Sequence, residues 1–520
     1  MTLLARWLPR GTPSTPRTRP TPCAARAALC LAIALACSPA PAQVQLPHLG
    51  DGAELTLSQE RALGDSIITS LYRDPDYIDD APLHAYVMQV WQPLVQAALQ
   101  RGDLNEELHQ RFAWQVLLGK DRSINAFALP GGYLGVHLGL IGAVSSSDEL
   151  ATVLAHELSH VSQRHIARMF SEDKKNMPLV IGSMLLGALA ASKSPDAAQA
   201  LMVGGQAAAM QNQLSFSRDM EREADRVGFN LLDPAGFNPQ GAASMFDKLQ
   251  QASRLNDNGG WPYLRSHPLT SERMADMQSR VPQGRGTPLR TTPEHAMMAA
   301  RARVLSQPGV DRLRQWVEVP TQTDFAQRSQ PEKIGQLYAA ALAAQQLRDS
   351  TSAQRWWQAL APLTSDDPAA RRQHAWLGAE LALAAQQPEL ALQRLEHTDA
   401  EAARQRPQVL LRSQALLALG RNAEVADALQ TWVAVHPLDA QAWQWLAQAW
   451  QAQQQPLRAL RAQAEAQVAV RDYNAALDRL KAAQDMALRA GARADHIEAS
   501  IIDTRLRAVA ALAREQARQQ

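Results

Sequence analysis

SSDELATVLAHELSHV, residues 146–161, is the stretch that decides how this chain is read. Ser146 and Glu149 have the spacing of a helix capping box, and Leu150, Val153, Leu154 and Val161 recur at helical intervals. The segment is therefore expected to be a helix, with His156-Glu157-Leu158-Ser159-His160 well inside it as an HExxH motif. With about 3.6 residues per turn, histidines four apart share a face and can bind one metal ion, while the glutamate beside them can take a proton from an attacking water. Two imidazoles and a carboxylate in an apolar helix would be costly to bury without a partner such as a metal. A peptidase is the first expectation. HExxH also arises by chance, so a third ligand decides the matter.

Downstream, SRDMEREAD at 217–225 is again flanked by apolar residues at helical spacing, Val227 and Leu231 among them. Glu221 and Asp225 are four apart and share a face. The natural division makes Glu221 the third protein ligand and Asp225 an acceptor that orients a ligating histidine through its other ring nitrogen. Three protein ligands leave a fourth position open, as a catalytic zinc requires. Glu223 points elsewhere on that helix and is expected to be solvated or paired with an arginine. By the same helical geometry His165, five residues after His160, falls off the ligand face and is expected to be structural. Upstream, NAFALPGGY at 125–133 reads as a strand entering a Gly-rich turn, followed by a short apolar run to Ile141. Such a strand would either bind an extended peptide by backbone pairing or form a plain core hairpin.

Taken together, HELSH and SRDMEREAD resemble the HExxH and SRxxExxxAD pair of the HtpX-like zinc peptidases. NAFALPGGY, HVSQRH at 160–165 and LRSHPLTSER at 264–273 narrow the resemblance to a periplasmic branch that carries helical repeats. It covers about Leu55 to the carboxy terminus, strongly in the peptidase part and by pattern alone in the repeats. The resemblance implies that His156, His160 and Glu221 bind one zinc ion per chain, that Glu157 is the catalytic carboxylate, and that Asp225 is the supporting aspartate. It also implies that His267 can lie close to the metal as a regulatory or fourth ligand in place of water. From the residues alone, His267-Pro268 reads equally well as a turn before a helix. The donor that would stabilise the oxyanion besides zinc stays open between His267 and a nearby arginine.

The amino terminus reads as a targeting segment. Arg6, Arg10, Arg17, Arg19 and Arg26 precede an apolar stretch from Ala27 to Ala36, and Ala40-Pro41-Ala42 fits a cleavage site before Gln43. Residues 1–42 are thus expected to be a cleaved secretory signal peptide that delivers the protein to a periplasm. The three cysteines, Cys23, Cys30 and Cys37, all lie in this lead, so a mature chain from Gln43 has no disulfide. Ala34-Leu35-Ala36-Cys37 is a weak lipobox, and a lipid anchor at Cys37 is the competing reading. Removing a lead with five arginines and no acid leaves 47 basic against 51 acidic residues. Nothing in that balance suggests a nucleic-acid partner.

The remaining length exceeds one ordinary domain. Residues 43–283 are expected to form the zinc peptidase domain and 284–331 a linker and connecting helix, with the boundary marked by the Pro-, Gly- and Thr-rich stretch Pro282–Pro293. Ser58–Leu71 and Ala81–Arg101 read as amphipathic helices packed around the metal helix. Between the metal motifs, Met177–Ala191 and Ala197–Met210 are apolar runs, each shorter than the roughly 20 residues of a membrane span. They read either as a buried helical hairpin or as a mobile lid or a surface that touches membrane or client.

Residues 332–520 are rich in Ala, Leu, Gln and Trp. Trp443, Leu446, Ala447, Trp450, Ala459 and Ala466 follow the large-and-small spacing of tetratricopeptide (TPR) repeats, with looser copies at Leu377-Gly378 and Ala391, Ala415 and Ala426, and Ala340 and Ala353. About four repeats are expected, closed by a capping helix over Ala494–Ala517; a generic helical bundle is the alternative. A stacked array offers a concave surface to a partner or can fold back onto the peptidase.

The expected fold is mainly α: an α+β zincin-type metallopeptidase domain, made of the HExxH helix and a small edge sheet, followed by an α-solenoid TPR domain. The expected function is that of a periplasmic zinc-dependent endopeptidase with chaperone-like activity. The resemblance implies unfolded or stalled outer-membrane β-barrel proteins as clients and the barrel assembly machinery as the partner of the TPR domain, with peripheral membrane contact. A non-proteolytic TPR chaperone or scaffold with a latent metal site is the alternative. Glu157 speaks against it, because a structural zinc site needs no adjacent base. An intramembrane peptidase is opposed by the shortness of the apolar runs.

Overall fold

Thr56 opens the first helix with a full capping box, accepting from the Gln59 amide while the Gln59 side chain accepts from its own N–H. The structure is a computed structural model that describes residues 55–172, 217–254, 262–281, 289–306, 309–396, 398–490 and 495–519. The expected signal peptide with Cys37 and the apolar runs at 177–210 lie outside the described residues.

Helices α1 (Leu57–Leu71) and α2 (Ala81–Arg101) have nearly the bounds expected from their patterning. Asp80 caps the start of α2, and Gly102 stops it in a left-handed conformation with φ of 78°. The chain continues through β1 (Tyr77–Ile78, between these helices), α3 (Glu106–Arg111), β2 (Gln115–Gly119), β3 (Ala126–Leu129) and β4 (Tyr133–His137). The expected apolar run to Ile141 divides, since α4 (Leu138–Ala143) follows β4 directly. The metal helix is α5 (Ser147–Ser162), and α6 (His165–Glu172) comes after a two-residue break. Then follow α7 (Arg218–Leu232), α8 (Gln240–Arg254), α9 (Tyr263–Ser266), α10 (Ser271–Arg280), α11 (Pro293–Leu305) and α12 (Val310–Glu318).

The sheet order is β1-β2-β4-β3, with β2 and β4 parallel and both outer pairs antiparallel. Side chains alternate between its faces. Val116, Leu118, Ala126, Leu134 and Val136 join the main core with α2 and α5, while Leu117, Leu129 and Tyr133 pack on Ile67, Ile68 and Leu71 of α1. β3 is thereby left at the sheet edge beside the metal helix. Gly131 and Gly132, at φ of 76° and 80°, make the turn into β4 in a conformation that side-chain-bearing residues avoid.

Ten α-helices follow among the described residues: α13 (Gln330–Gln346), α14 (Ser350–Thr364), α15 (Pro368–Ala384), α16 (Pro388–Glu396), α17 (Arg406–Ala418), α18 (Asn422–Val435), α19 (Ala440–Ala452), α20 (Pro456–Ala469), α21 (Tyr473–Ala490) and α22 (His496–Gln519). Each packs on the next, and α13, α15 and α17 each also pack on the next but one. Small residues sit where helices meet: Ala340, Ala353, Ala391, Ala415, Ala426, Ala447, Ala459 and Ala466 are all buried. The main apolar core does not stop at the Pro- and Gly-rich stretch but runs from Leu83 in α2 through Met297 in α11 to Leu381 in α15.

Polar clamps reinforce the junction. Arg301 of α11 is buried and donates to Asp80 at 2.7 Å, to Glu380 at 2.7 Å and to the Tyr338 hydroxyl at 3.1 Å. Arg406 of α17 joins Asp79 at 2.7 Å to Asp439 at 2.9 Å. At the far end, Arg471 donates to the Tyr133 hydroxyl at 2.8 Å and lies 2.9 Å from Asp65, and Gln516 of α22 donates to Thr69 of α1 at 3.2 Å. The array thus returns to the first helix. No helix among the described residues is long and apolar enough to cross a membrane.

Candidate metal centre

α5 is buried from Glu149 to Val161, so its histidines lie in the core rather than on the surface. Ser146 caps it by accepting from the Glu149 N–H, but the Glu149 side chain accepts from Ser145 N–H at 2.6 Å, one residue earlier than the capping-box spacing suggests. Lys248 of α8 lies 2.7 Å from the same carboxylate.

α7 crosses α5 at very close range. A Cβ on Gly228 would sit 3.0 Å from the Ala155 carbonyl and the His156 nitrogen, so a larger residue would press the two helices apart by a few tenths of an ångström. Gly228 shares a helix face with Glu221 and Asp225, which are thereby aimed at the two histidines. His156 Nε2 and His160 Nε2 are 2.9 Å apart. Glu221 Oε2 lies 3.5 Å from the former and its Oε1 3.5 Å from the latter. The turn after α9 brings His267, whose Nδ1 is 3.3 Å from His156 Nε2 and 2.9 Å from Glu221 Oε1.

All four donors are buried, with their ligand atoms within 4.8 Å of one another. Metal–nitrogen and metal–oxygen bonds of about 2.0–2.2 Å give tetrahedral edges of roughly 3.3 Å, close to these spacings. The set can therefore hold a metal ion. The protonation pattern agrees: burial works against a charge on His156, but Asp225 and Glu221 overrule it and push the ring up to about 10. His160, buried with positive neighbours, is driven well down. Burial would raise Glu221 as well, but His267 and His156 hold it well below the usual carboxylate range. Metal binding at such a site would displace a proton held among these converging groups.

Glu157 lies beside the cluster with two unlike oxygens. Oε2 accepts the Ala128 N–H of β3 at 2.8 Å, whereas Oε1 is buried without a hydrogen-bond partner among the described residues. Burial raises its carboxyl above the ordinary value. His267 Nε2 stands 3.4 Å from Oε1, and the His267 ring stacks on Tyr263 with centroids 4.6 Å apart.

Asp225 Oδ1 is 3.0 Å from His156 Nδ1. Arg273, the last residue of LRSHPLTSER and one whose role no spacing in the sequence reveals, grips Asp225, lies 2.7 Å from Glu221 Oε2 and donates to the Pro268 carbonyl at 2.9 Å. Its guanidinium is thereby directed at the support of the cluster rather than at a developing oxyanion.

His165 stays outside the donor set, as expected, but it is not remote from it. Continuing the period of α5 puts it off the ligand face, but α5 ends at Ser162, Arg164 turns the chain at φ of 53°, and α6 restarts at His165. The ring swings back to His160, Nδ1 to Nδ1 at 2.9 Å. The turn is held by Arg164, which pairs with buried Glu60 of α1 at 3.1 Å. Glu223 does meet an arginine, Arg168 at 2.8 Å, and also His165 Nε2 at 3.1 Å.

Comparison with known proteins extends these observations. Residues 90–281 match the model of peptidase family M48. The chain is 29% identical over 410 residues to the beta-barrel assembly-enhancing protease of Escherichia coli K12, covering 78% of this chain and 80% of that protein. It is 34% identical over 272 residues to the protein of the same name from Yersinia pestis, covering 51% and 53%. The chain spans about half the length of the Yersinia relative and of one from Vibrio cholerae. A mitochondrial metalloendopeptidase OMA1 of Arabidopsis thaliana is 34% identical over 161 residues, 31% of this chain and 30% of that protein.

Proposed function

We propose that this chain, which carries a peptidase family M48 domain over residues 90–281, is a zinc endopeptidase in which His156, His160 and Glu221 hold the metal and Glu157 handles the proton of the attacking water. The observation that carries this reading is the convergence of four buried donors next to a buried carboxylate oxygen that accepts no hydrogen bond among the described residues and faces only the His267 ring, at 3.4 Å. Zinc, when bound, supplies Lewis acidity, which makes water acidic near pH 7 (about 7) and polarises the scissile carbonyl. Glu157, raised by burial, accepts a proton at neutral pH and passes it to the leaving amine. The Ala128 N–H fixes one oxygen of that carboxylate and leaves the other aimed into the cluster. An extended substrate adds to the outer edge of β3, next to the base.

His267 is the resting fourth ligand. Its Nδ1 joins the donor set and its Nε2 stands against Glu157, so the ring covers both the metal position and the base until it swings away. Asp225 fixes the His156 tautomer.

We read residues 43–283 as the peptidase domain and 332–520 as a TPR array, joined by 284–331, with residues 1–42 as a signal peptide or Cys37 as a lipid anchor. Two of the relatives named above are called beta-barrel assembly-enhancing proteases. On that basis the clients are unfolded or stalled outer-membrane β-barrel proteins in the periplasm, which the array presents or docks at the assembly machinery, with chaperone-like help to productive ones. A scaffold with a latent metal site would share the His267 arrangement. The two readings part on one measurement: casein or unfolded-barrel cleavage that vanishes with chelator and in Glu157→Gln supports the peptidase. Clients bound but never cut, even when His267 is replaced, support the scaffold.

A further inference from the structure

The two ligating histidines of α5 are supported in different ways, and only one support belongs to the motif pair. His156 has its Nδ1 against a carboxylate, Asp225, at 3.0 Å. His160 has its Nδ1 against another imidazole, His165, at 2.9 Å. Two facing ring nitrogens can form a hydrogen bond only if one carries the proton and the other does not. The far side of His165 decides which. Its Nε2 faces Glu223 Oε2 at 3.1 Å, and an ionised carboxylate only accepts, so Nε2 carries the proton and Nδ1 keeps its lone pair. Arg168 lies 2.8 Å from the same oxygen and favours the ionised carboxylate. His160 must then donate from Nδ1, which leaves its Nε2 lone pair directed at the other donors.

We propose that His165 and Glu223 form a relay that fixes the tautomer and ring orientation of His160 for metal binding, as Asp225 does for His156. The inference rests on the metal-site reading above. Along the line His160, His165 and Glu223 each imidazole donates towards the carboxylate, and Arg168 donates to the same Glu223 oxygen from the other side. The line depends on the left-handed turn at Arg164, which places the His165 ring under His160 with centroids 4.9 Å apart. His165 is a positioning residue and acts only through His160. Its acceptor is neutral, so this support is weaker than the Asp225 carboxylate and depends on Glu223 to keep its direction. Because His165 and Arg168 both lie on α6, the orientation of a ligand is mechanically linked to the helix that follows the metal helix.

The test is zinc affinity, measured on the full mature chain by competition with a chromophoric chelator, alongside the absorption spectrum of the cobalt-substituted protein. Loss of an outer hydrogen-bond partner typically costs about 10–100-fold in metal affinity. His165→Leu keeps the volume and removes the acceptor, so it should weaken zinc by that order and alter the cobalt spectrum. His165→Asn can offer its amide oxygen where Nδ1 stood and should restore most of the affinity. Glu223→Ala, at a partly exposed position, should weaken zinc several-fold and keeps the question open to test if His165→Leu does not fold. Wild-type affinity in folded His165→Leu or in Glu223→Ala overturns the relay. Equal losses in His165→Leu and His165→Asn overturn it too, because packing alone would then explain the position. Failure of the unaltered chain to bind zinc defeats the metal site itself and is thereby distinct.

Discussion

Arg273 grips Asp225 through two hydrogen bonds, Nε to Oδ2 at 2.6 Å and Nη2 to Oδ1 at 2.8 Å, tying α10 to α7. The pair is buried, and Arg273 Nη1 also lies 2.7 Å from Glu221. Arg273→Met should therefore leave two buried carboxylates with only their histidine partners and cost about 3–5 kcal/mol, the usual consequence of removing one partner of a buried pair. Urea unfolding of the zinc-free chain reads this directly. A loss below about 1 kcal/mol would mean that the pair is no stronger than a surface bridge.

His267→Ala should raise peptide cleavage several-fold at neutral pH, since the ring stands on both the fourth position and Glu157. Zinc should stay bound through His156, His160 and Glu221. The check is kcat on a quenched peptide together with metal content per chain. Reduced cleavage with full zinc would instead make His267 a participant in the reaction.

Acid should weaken the fold through a residue far from the metal. His295 is buried, with Nδ1 accepting from the Tyr86 hydroxyl at 2.6 Å and Nε2 donating to the Val144 carbonyl at 3.0 Å. Burial pushes the ring from 6.5 down to about 4, so the folded state keeps it neutral where the unfolded chain protonates it. Stability from this group is complete above pH 6.5 and is lost as pH falls from 6.5 to about 4, in total about 3 kcal/mol. Urea midpoints of the unaltered chain and of His295→Gln, both zinc-free, should differ in slope across that window. Parallel slopes would exclude His295 as the cause.

The two ends of the helical array should differ in their hold on the peptidase. Arg301 is buried between Asp80 and Glu380, and Arg301→Met should cost about 3–5 kcal/mol by leaving those acids unpaired. Arg471 is more accessible, and Arg471→Ala should cost about 1 kcal/mol or less despite its contacts with Asp65 and Tyr133. Chemical denaturation of both variants compares them, and an Arg471→Ala loss as large as that of Arg301→Met would reverse the assignment.

What could be read from the residues alone follows from the range of the interactions. α1, α2 and α5 are amphipathic or apolar over many turns, so their positions are written in local periodicity. Glu221 was within reach because HExxH demands another ligand and SRDMEREAD offers acids on one helix face. β1 and β2 were missed: two residues carry no period, and Gln115–Gly119 is an apolar run too short to distinguish strand from helix. The part of Arg273 is not legible, because its partner lies 48 residues earlier and spacing does not encode such pairs. His165 lies off the ligand face, as the spacing implies, but its contact with His160 is not legible, because it depends on the end of α5 at Ser162, which no proline or glycine announces. Of the array, the small residues at helix contacts are legible and a fold back onto the peptidase is one of the two expected arrangements; the contact of Gln516 with Thr69, 447 residues apart, is not encoded in any spacing.

That return has a practical consequence. Closing a loop of several hundred residues costs entropy that grows only with the logarithm of its length, so even a few modest contacts can hold it shut. The same few contacts are the ones most easily undone while the shared core at Leu83 to Leu381 stays intact. A donor and an acceptor dye placed near the end of α1 and on α22 would form a gauge of that closure. Their energy transfer would report whether the last turns of the array rest on the first helix or stand away from it.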